Sequence, residues 1–278
     1  MASVTQVIKN TTQPRGGYIK PSQFTAYEYD DGLTLNELEN VHSSIVGMAV
    51  DYLTRFVMGA EKEEAFKISR RGAVNAYLAS YRLPFDIICS PKERADELLS
   101  KINGLDNESI FNACKMVCYD VWYRNPIQAK KSALELAKKL DLVFYLDSEI
   151  MPNEETIKNI KIMVDRSIAF WNEYGPIVKD GFDFKPNGYT STVSAGDGDY
   201  LTKDTLWDFK VSKFKPTSKH TLQLLMYWIM GKHSGQEIYK SIAKLGIFNP
   251  RLNTAYLLKI SDISPAIIEA VEKNIICY

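Results

Sequence analysis

Cysteine is scarce in this chain. Four thiols in 278 residues, irregularly placed, cannot make a disulfide framework and fit a reducing, cytoplasmic setting. Long apolar runs are missing too. Stretches such as Leu222 to Met230 fall far short of the ~20 residues that span a bilayer, so no membrane partner is expected. Met1 to Asn10 has no apolar signal region, which argues against export. Nor does charge of one sign dominate: 34 Lys+Arg balance 34 Asp+Glu, so any basic surface for a nucleic acid must be local. With 45% hydrophobic and 24% charged residues, the composition excludes a disordered tail or a collagen-like repeat. The length suits one elaborated domain or two small ones.

Residues 1–33 are polar, turn-rich and without periodicity, and read as a loosely packed arm. Thr34 and Glu37 form a capping box that opens a predicted helix over 34–58. Its apolar face carries Leu38, Val41, His42, Ile45, Ala49 and Leu53, and Gly59 ends it. A shorter helical segment follows around Arg71–Tyr81, so that 34–90 reads as a first core helix region. From 91 to 175 the spacing predicts helices over 92–102, 108–124, 127–140 and 153–174, separated by Asn103-Gly104, Asn125-Pro126 and Pro152-Asn153. After Pro176 the pattern changes. Residues 182–211 are rich in Tyr, Thr, Val and Phe and read as about three short strands. A helix over 218–230, β-like stretches at 241–248 and 254–260, and a last helix from Ser264-Pro265 complete the chain. The fold class expected is α/β, with a helical insertion at 91–175 and a core at 176–278.

The chemistry concentrates in 196–227. If 206–211 is a strand, its period of two puts Asp208 and Lys210 on one face and Trp207, Phe209 and Val211 on the other. Asp199, on the preceding strand, can reach Asp208 by antiparallel pairing. Two adjacent carboxylates repel unless a cation lies between them, and oxygen ligands of this kind suit Mg²⁺ or Mn²⁺. Lys210 then stands beside the metal's water or a phosphate, an arrangement able to hydrolyse a phosphodiester. On the following helix Gln223 and Tyr227, four residues apart, share a face suited to holding a backbone phosphate or fixing a loop.

Gly-x-x-Asp ending at Asp199, Asp-x-Lys at 208–210 and Gln-x-x-x-Tyr at 223–227 together resemble the PD-(D/E)xK nuclease superfamily, in its RecB-type branch. The resemblance implies a restriction-endonuclease-like αβββαβ core with a mixed sheet, and hydrolysis of DNA with Mg²⁺ or Mn²⁺. Asp199 and Asp208 match the metal-binding carboxylates, Lys210 the catalytic lysine, the Phe209 carbonyl a backbone ligand, and Gln223 and Tyr227 the branch motif. A helix ahead of the strands often adds a ligand in that branch, and His42 is the candidate. Gly-Asp stands where the superfamily name has Pro-Asp. Cys114 and Cys118 lie one helical turn apart, but Cys89 and Cys277 do not complete an iron–sulfur pattern, and no cluster is expected.

Each motif also has a plainer reading. Asp-x-Lys alone fits a solvated strand edge. His42 fits a hydrogen-bonded core histidine, and Asp197 a turn residue. Lys213, Lys215, Lys219 and His220 fit either a phosphate-contacting loop or a solvated one. Trp122, Tyr123, Trp171 and Tyr174 fit base stacking or packing at helix ends. At the level of the whole chain, the alternatives to a nuclease are a catalytically silent nucleic-acid-binding module and an interaction protein that takes a partner through 91–175.

Overall fold

The computed structural model describes residues 2–81, 90–140 and 147–278. In chain order the elements are α1 (Val4–Asn10), β1 (Thr25–Glu28), α2 (Ser43–Val57), α3 (Lys62–Ala65), α4 (Lys67–Ser80), α5 (Pro91–Ser100), α6 (Asn107–Met116), α7 (Asp120–Arg124) and α8 (Pro126–Leu140). There follow α9 (Glu154–Tyr174), β2 (Lys179–Phe182), β3 (Gly198–Leu201), β4 (Thr205–Phe209), α10 (Ser218–Ser234), β5 (Lys244–Asn249), β6 (Thr254–Lys259) and α11 (Pro265–Val271). Among the described residues no helix is long and apolar enough to cross a membrane. Two compact units emerge, one of residues 1–31 with 169–278 and one of residues 32–168. The boundaries differ from those expected. The region 34–90 belongs with the helical segment, and the N-terminal stretch belongs with the sheet.

Helical starts in the 32–168 unit follow local capping chemistry. Ser90 and Asp106 accept hydrogen bonds from the N–H groups of Glu93 (3.5 Å) and Ser109 (2.9 Å), and Pro91 occupies the first position of α5. The expected box at Thr34 and Glu37 does not open a helix. α2 begins at Ser43 with His42 as its N-cap. Two buried carboxylates tie helices together. Asp120, 1% exposed, accepts from the hydroxyls of Tyr52 and Ser69, each at 2.5 Å. Burial pushes its pKa up, and those bonds and Arg124 oppose the rise. Asp147 is fully buried and paired with Arg94 at 3.0 Å and Lys115 at 3.2 Å. Cys114 is a buried free thiol in α6, while Cys89 lies outside the described residues.

In the other unit a six-stranded mixed sheet runs in the order β1-β6-β5-β4-β3-β2. Only β4 and β5 are parallel, a pairing that needs a long crossover, and α10 supplies it. The stretch 1–31 is not a loose arm. Val4, Ile8 and Ile19 are buried, α1 packs on α10, and β1 pairs with β6.

Each sheet face has its own core. Leu201 and Leu206 share one apolar cluster with Leu222, Leu225 and Met226 of α10. The opposite face is aromatic. Trp207 meets the rings of Phe170, Trp171 and Tyr174 from the end of α9, and Phe170 stacks on Phe248 at 3.9 Å. Trp171 and Tyr174 are therefore packing residues. Trp207 pairs in register with Gly246, and a Cβ on that glycine would sit 2.3 Å from the indole. Gly246→Ala is thus expected to lower stability by about 1–3 kcal/mol through overpacking. Chemical denaturation reads this directly, and an unchanged midpoint would mean that the Trp207 ring can move aside.

Candidate active site

β4 is buried along its whole length, so a carboxylate on it has to be placed and compensated. Antiparallel pairing of β3 with β4 sets Tyr200 across from Trp207 and Leu201 across from Leu206. Residues directly opposite share a face, and alternation along each strand returns to that face two positions on. Asp199 and Asp208 therefore fall on the face of Leu201 and Leu206, which is the α10 side. Asp199 is the second residue of β3. Because the strands run antiparallel, it meets the C-terminal end of β4, away from the connection at 202–204.

Distances agree with that register. Asp199 Oδ2 accepts a hydrogen bond from the Phe209 N–H at 2.7 Å, which brings its carboxylate to the residue beside Asp208. Asp208 is 2% exposed. Lys210 Nζ lies 3.0 Å from each of its oxygens and donates to Oδ1. Oδ2, shielded from solvent, has the attraction of the ammonium but no aligned donor. A buried carboxylate oxygen without a hydrogen bond is uncommon and marks a place where a cation or ordered water fits.

Gln223 and Tyr227 sit on α10 above this end of the sheet. They are buried, not displayed as expected, and are 8% and 4% exposed. Gln223 Nε2 donates to the Tyr227 hydroxyl at 2.7 Å. Burial pushes the Tyr227 phenol well above its ordinary pKa. The nearby charges of Asp208, Asp199 and Asp197 push the same way, and the Gln223 bond opposes them. The phenol thus stays protonated and senses all three aspartates. Asp197 lies in the long connection between β2 and β3, not in a two-residue hairpin.

His220 also belongs here. Its Nδ1 accepts the Thr217 N–H at 3.2 Å, in a capping box at the start of α10. An Nδ1 that accepts carries no proton, so a neutral His220 bears its hydrogen on Nε2. Burial lowers its pKa, as does the Lys210 charge, while Asp208 raises it.

Two supports escaped sequence reasoning. Asn249, buried at the end of β5, donates from Nδ2 to the Ser212 carbonyl at 2.8 Å and so pins the chain leaving β4. The Asn249-Pro250 pair signalled only a turn. The glycine of Gly-x-x-Asp has a packing reason: a Cβ on Gly196 would lie 2.8 Å from Cγ2 of Val4. The Val4 N–H donates to the Ala195 carbonyl at 2.9 Å, so the N-terminal stretch braces the loop that delivers Asp199.

His42 departs from expectation. Exposed, it caps α2 instead of facing a core, and its Nδ1 lies 2.8 Å from Ser44 Oγ. The helix starts nine residues after Thr34, so the face that placed His42 inward does not exist at that position. His42 lines a cavity of about 340 Å³ within the 32–168 unit, with Cys118, Trp122 and Glu149. Another cavity of that unit, about 720 Å³, is lined by Glu61, Lys67, Arg70, Arg71 and Lys92. Its lining mixes both signs of charge, with Lys67 paired to Glu64, and volume alone assigns it no chemistry.

The donor set at β4 suits a hard divalent cation: two carboxylates, one with a buried oxygen that is ion-paired to Lys210 but has no aligned donor, beside the Phe209 main chain. Among the described residues no three His, Cys, Asp or Glu side chains gather as a ligand set. Two carboxylates with water and phosphate oxygens are the usual arrangement for Mg²⁺.

The lowered pKa of His220 has a signed consequence. Above about 6.5 the imidazole is neutral in both folded and unfolded chains. Below that the unfolded chain takes up a proton that the folded one resists. Stability contributed by neutral His220 is therefore full above pH 6.5 and is lost as pH falls through the lowered folded value. His220→Gln keeps an acceptor at the third helical position and removes the titration. Thermal melts from pH 8 to 5 are expected to show wild type losing ground to the variant on acidification; parallel curves would refute the assignment. No family model, curated protein or solved structure matches the chain, so a functional reading rests on the chemistry of these residues.

Proposed function

We propose that this chain is a metal-dependent nuclease that hydrolyses DNA phosphodiester bonds on a PD-(D/E)xK-type core. The observation that carries the reading is the 2.7 Å hydrogen bond from Phe209 N–H to Asp199 beside the Lys210–Asp208 pair. It joins the residues of two separate motifs in one place. The element order supports it: antiparallel β2, β3 and β4, then α10, then β5 parallel to β4. That is the βββαβ part of the core which the motif resemblance implies.

Asp199, Asp208 and the Phe209 carbonyl would hold Mg²⁺ or Mn²⁺. When bound, such an ion polarises the phosphodiester and makes its water more acidic. The chain's own groups do the rest. Lys210 Nζ, which donates to Asp208 Oδ1, is a cation that can turn to the attacking oxygen or to a phosphate oxygen gaining charge. Tyr227 and Gln223 hold position from α10. With the phenol kept neutral, Tyr227 can donate its own O–H to water or phosphate while accepting from Gln223. His220 offers Nε2–H at the same margin. His42 is not used.

The test is cleavage of linear and circular DNA, single- and double-stranded, with Mg²⁺, Mn²⁺ or chelator. Wild type is expected to cut only with metal. Asp208→Ala and Lys210→Ala are each expected to lower the rate at least ~100-fold, the scale of losing a charge that stabilises the transition state. Equal activity in all three proteins would defeat the reading. Metal-independent DNA binding without cleavage would favour a silent binding module.

A further inference from the structure

Between β4 and α10 lies a loop whose chemistry the hydrolytic site does not use. Phe214 is 78% exposed, with Lys213 and Lys215 exposed on either side and Lys219 exposed in the first turn of α10. A single exposed apolar side chain is ordinary. This one is set apart by how the chain beneath it is held. Asn249 Nδ2 donates to the Ser212 carbonyl at 2.8 Å, and Ser212 Oγ accepts the Phe214 N–H at 3.0 Å. At the far end the Thr217 N–H donates to His220 Nδ1. The ring is thus presented to solvent from a loop fixed at both ends, so ordering it on binding costs little entropy. Four residues from Lys210, its Cα lies within ~14 Å of the lysine's.

We propose that this loop is a single-strand contact. Phe214 stacks on an unpaired base, and Lys213 and Lys215 take the flanking phosphates. The substrate class is then DNA with a single-stranded segment or a frayed end, because a base inside an intact duplex has no free face for the ring. A protein partner is a poorer match: a stable protein interface buries about 800 Å² per partner, and one ring between two ammonium groups is no apolar core for it. A face of aromatic and cationic groups is what single-stranded nucleic acid fits. The inference rests on the nuclease reading for its place beside the scissile bond, but not for its test.

Binding of fluorescent single-stranded and blunt duplex oligonucleotides is measured in chelator, where no cleavage occurs, over a series of salt concentrations. Phe214→Ala is expected to weaken single-strand binding roughly 5- to 100-fold and leave duplex binding unchanged. Phe214→Trp restores affinity and Phe214→Leu does not, which separates stacking from simple apolar contact. Lys213→Ala with Lys215→Ala lowers the salt slope for single strands by about 1.4, whereas Phe214→Ala leaves the slope alone. Wild-type affinity in Phe214→Ala, or full rescue by leucine, overturns the proposal. Cleavage with Mn²⁺ is followed in parallel. Metal-dependent cutting that ignores Phe214 leaves the nuclease standing and removes the loop's role. Phe214-dependent binding without any cutting does the reverse.

Discussion

Asp208 governs the arrangement around it. A carboxylate 2% exposed on a strand buried along its length cannot rely on water, so its charge must be met by protein groups or a bound cation. Lys210 meets part of that need, being two residues on, on the same face and 3.0 Å from both oxygens. The part left over is at Oδ2, which has that ion pair but no aligned hydrogen-bond donor. Asp199 adds a second negative group next to it, a combination that is costly in an empty site and favourable around a divalent ion. The same residual demand that makes the site expensive to fold is what would give it affinity for metal.

Holding such a site requires a stiff frame, and both sheet faces contribute to it. The aromatic layer of Phe170, Trp171, Tyr174, Trp207 and Phe248 fixes one face of β4. Gly246 lets the indole of Trp207 lie flat over its neighbour strand. On the other face α10 is braced by α1, and the Thr221 hydroxyl donates to the Ile19 carbonyl at 2.7 Å. The N-terminal stretch therefore reaches the site twice, through α10 and through Val4 against the Gly196 loop. Side chains locked by packing hold polar groups in place better than loops do.

How much of this could be read from the residues follows from the range of each interaction. β3 to β6, α10 and α11 announce themselves by local period and by Gly, Pro and Asn breaks, and they lie close to where those signals put them, whereas β2 begins ahead of the expected 182–211 and β1 falls in the expected arm. Pairing of Asp199 with Asp208 was legible because period two and a short connection leave few registers. The packing of the expected arm at 1–33 was not. The arm's buried residues, Val4, Ile8 and Ile19, are too few to show a period, and the bonded partners of Val4 and Ile19 lie about 190 to 200 positions away. His42 failed for a related reason. Thr34 and Glu37 fit a capping box locally, but the helix starts only at Ser43, and the preceding backbone is tied to α9 by Asn36 and Asn40 instead. Gln223 and Tyr227 were found by spacing alone. That they face inward and bond to each other depends on where α10 sits on the sheet. Phe214 was missed because an aromatic between lysines carries no periodic signal.

The central claim is that Asp199 and Asp208 together grip one divalent ion. A crystal structure of the protein soaked with Mn²⁺ tests it most directly. The account predicts one anomalous peak about 2 Å from a carboxylate oxygen of each aspartate, with Lys210 drawn off Asp208 Oδ2. A saturated crystal with no peak there, and with Lys210 still clasping both oxygens of Asp208, would contradict it.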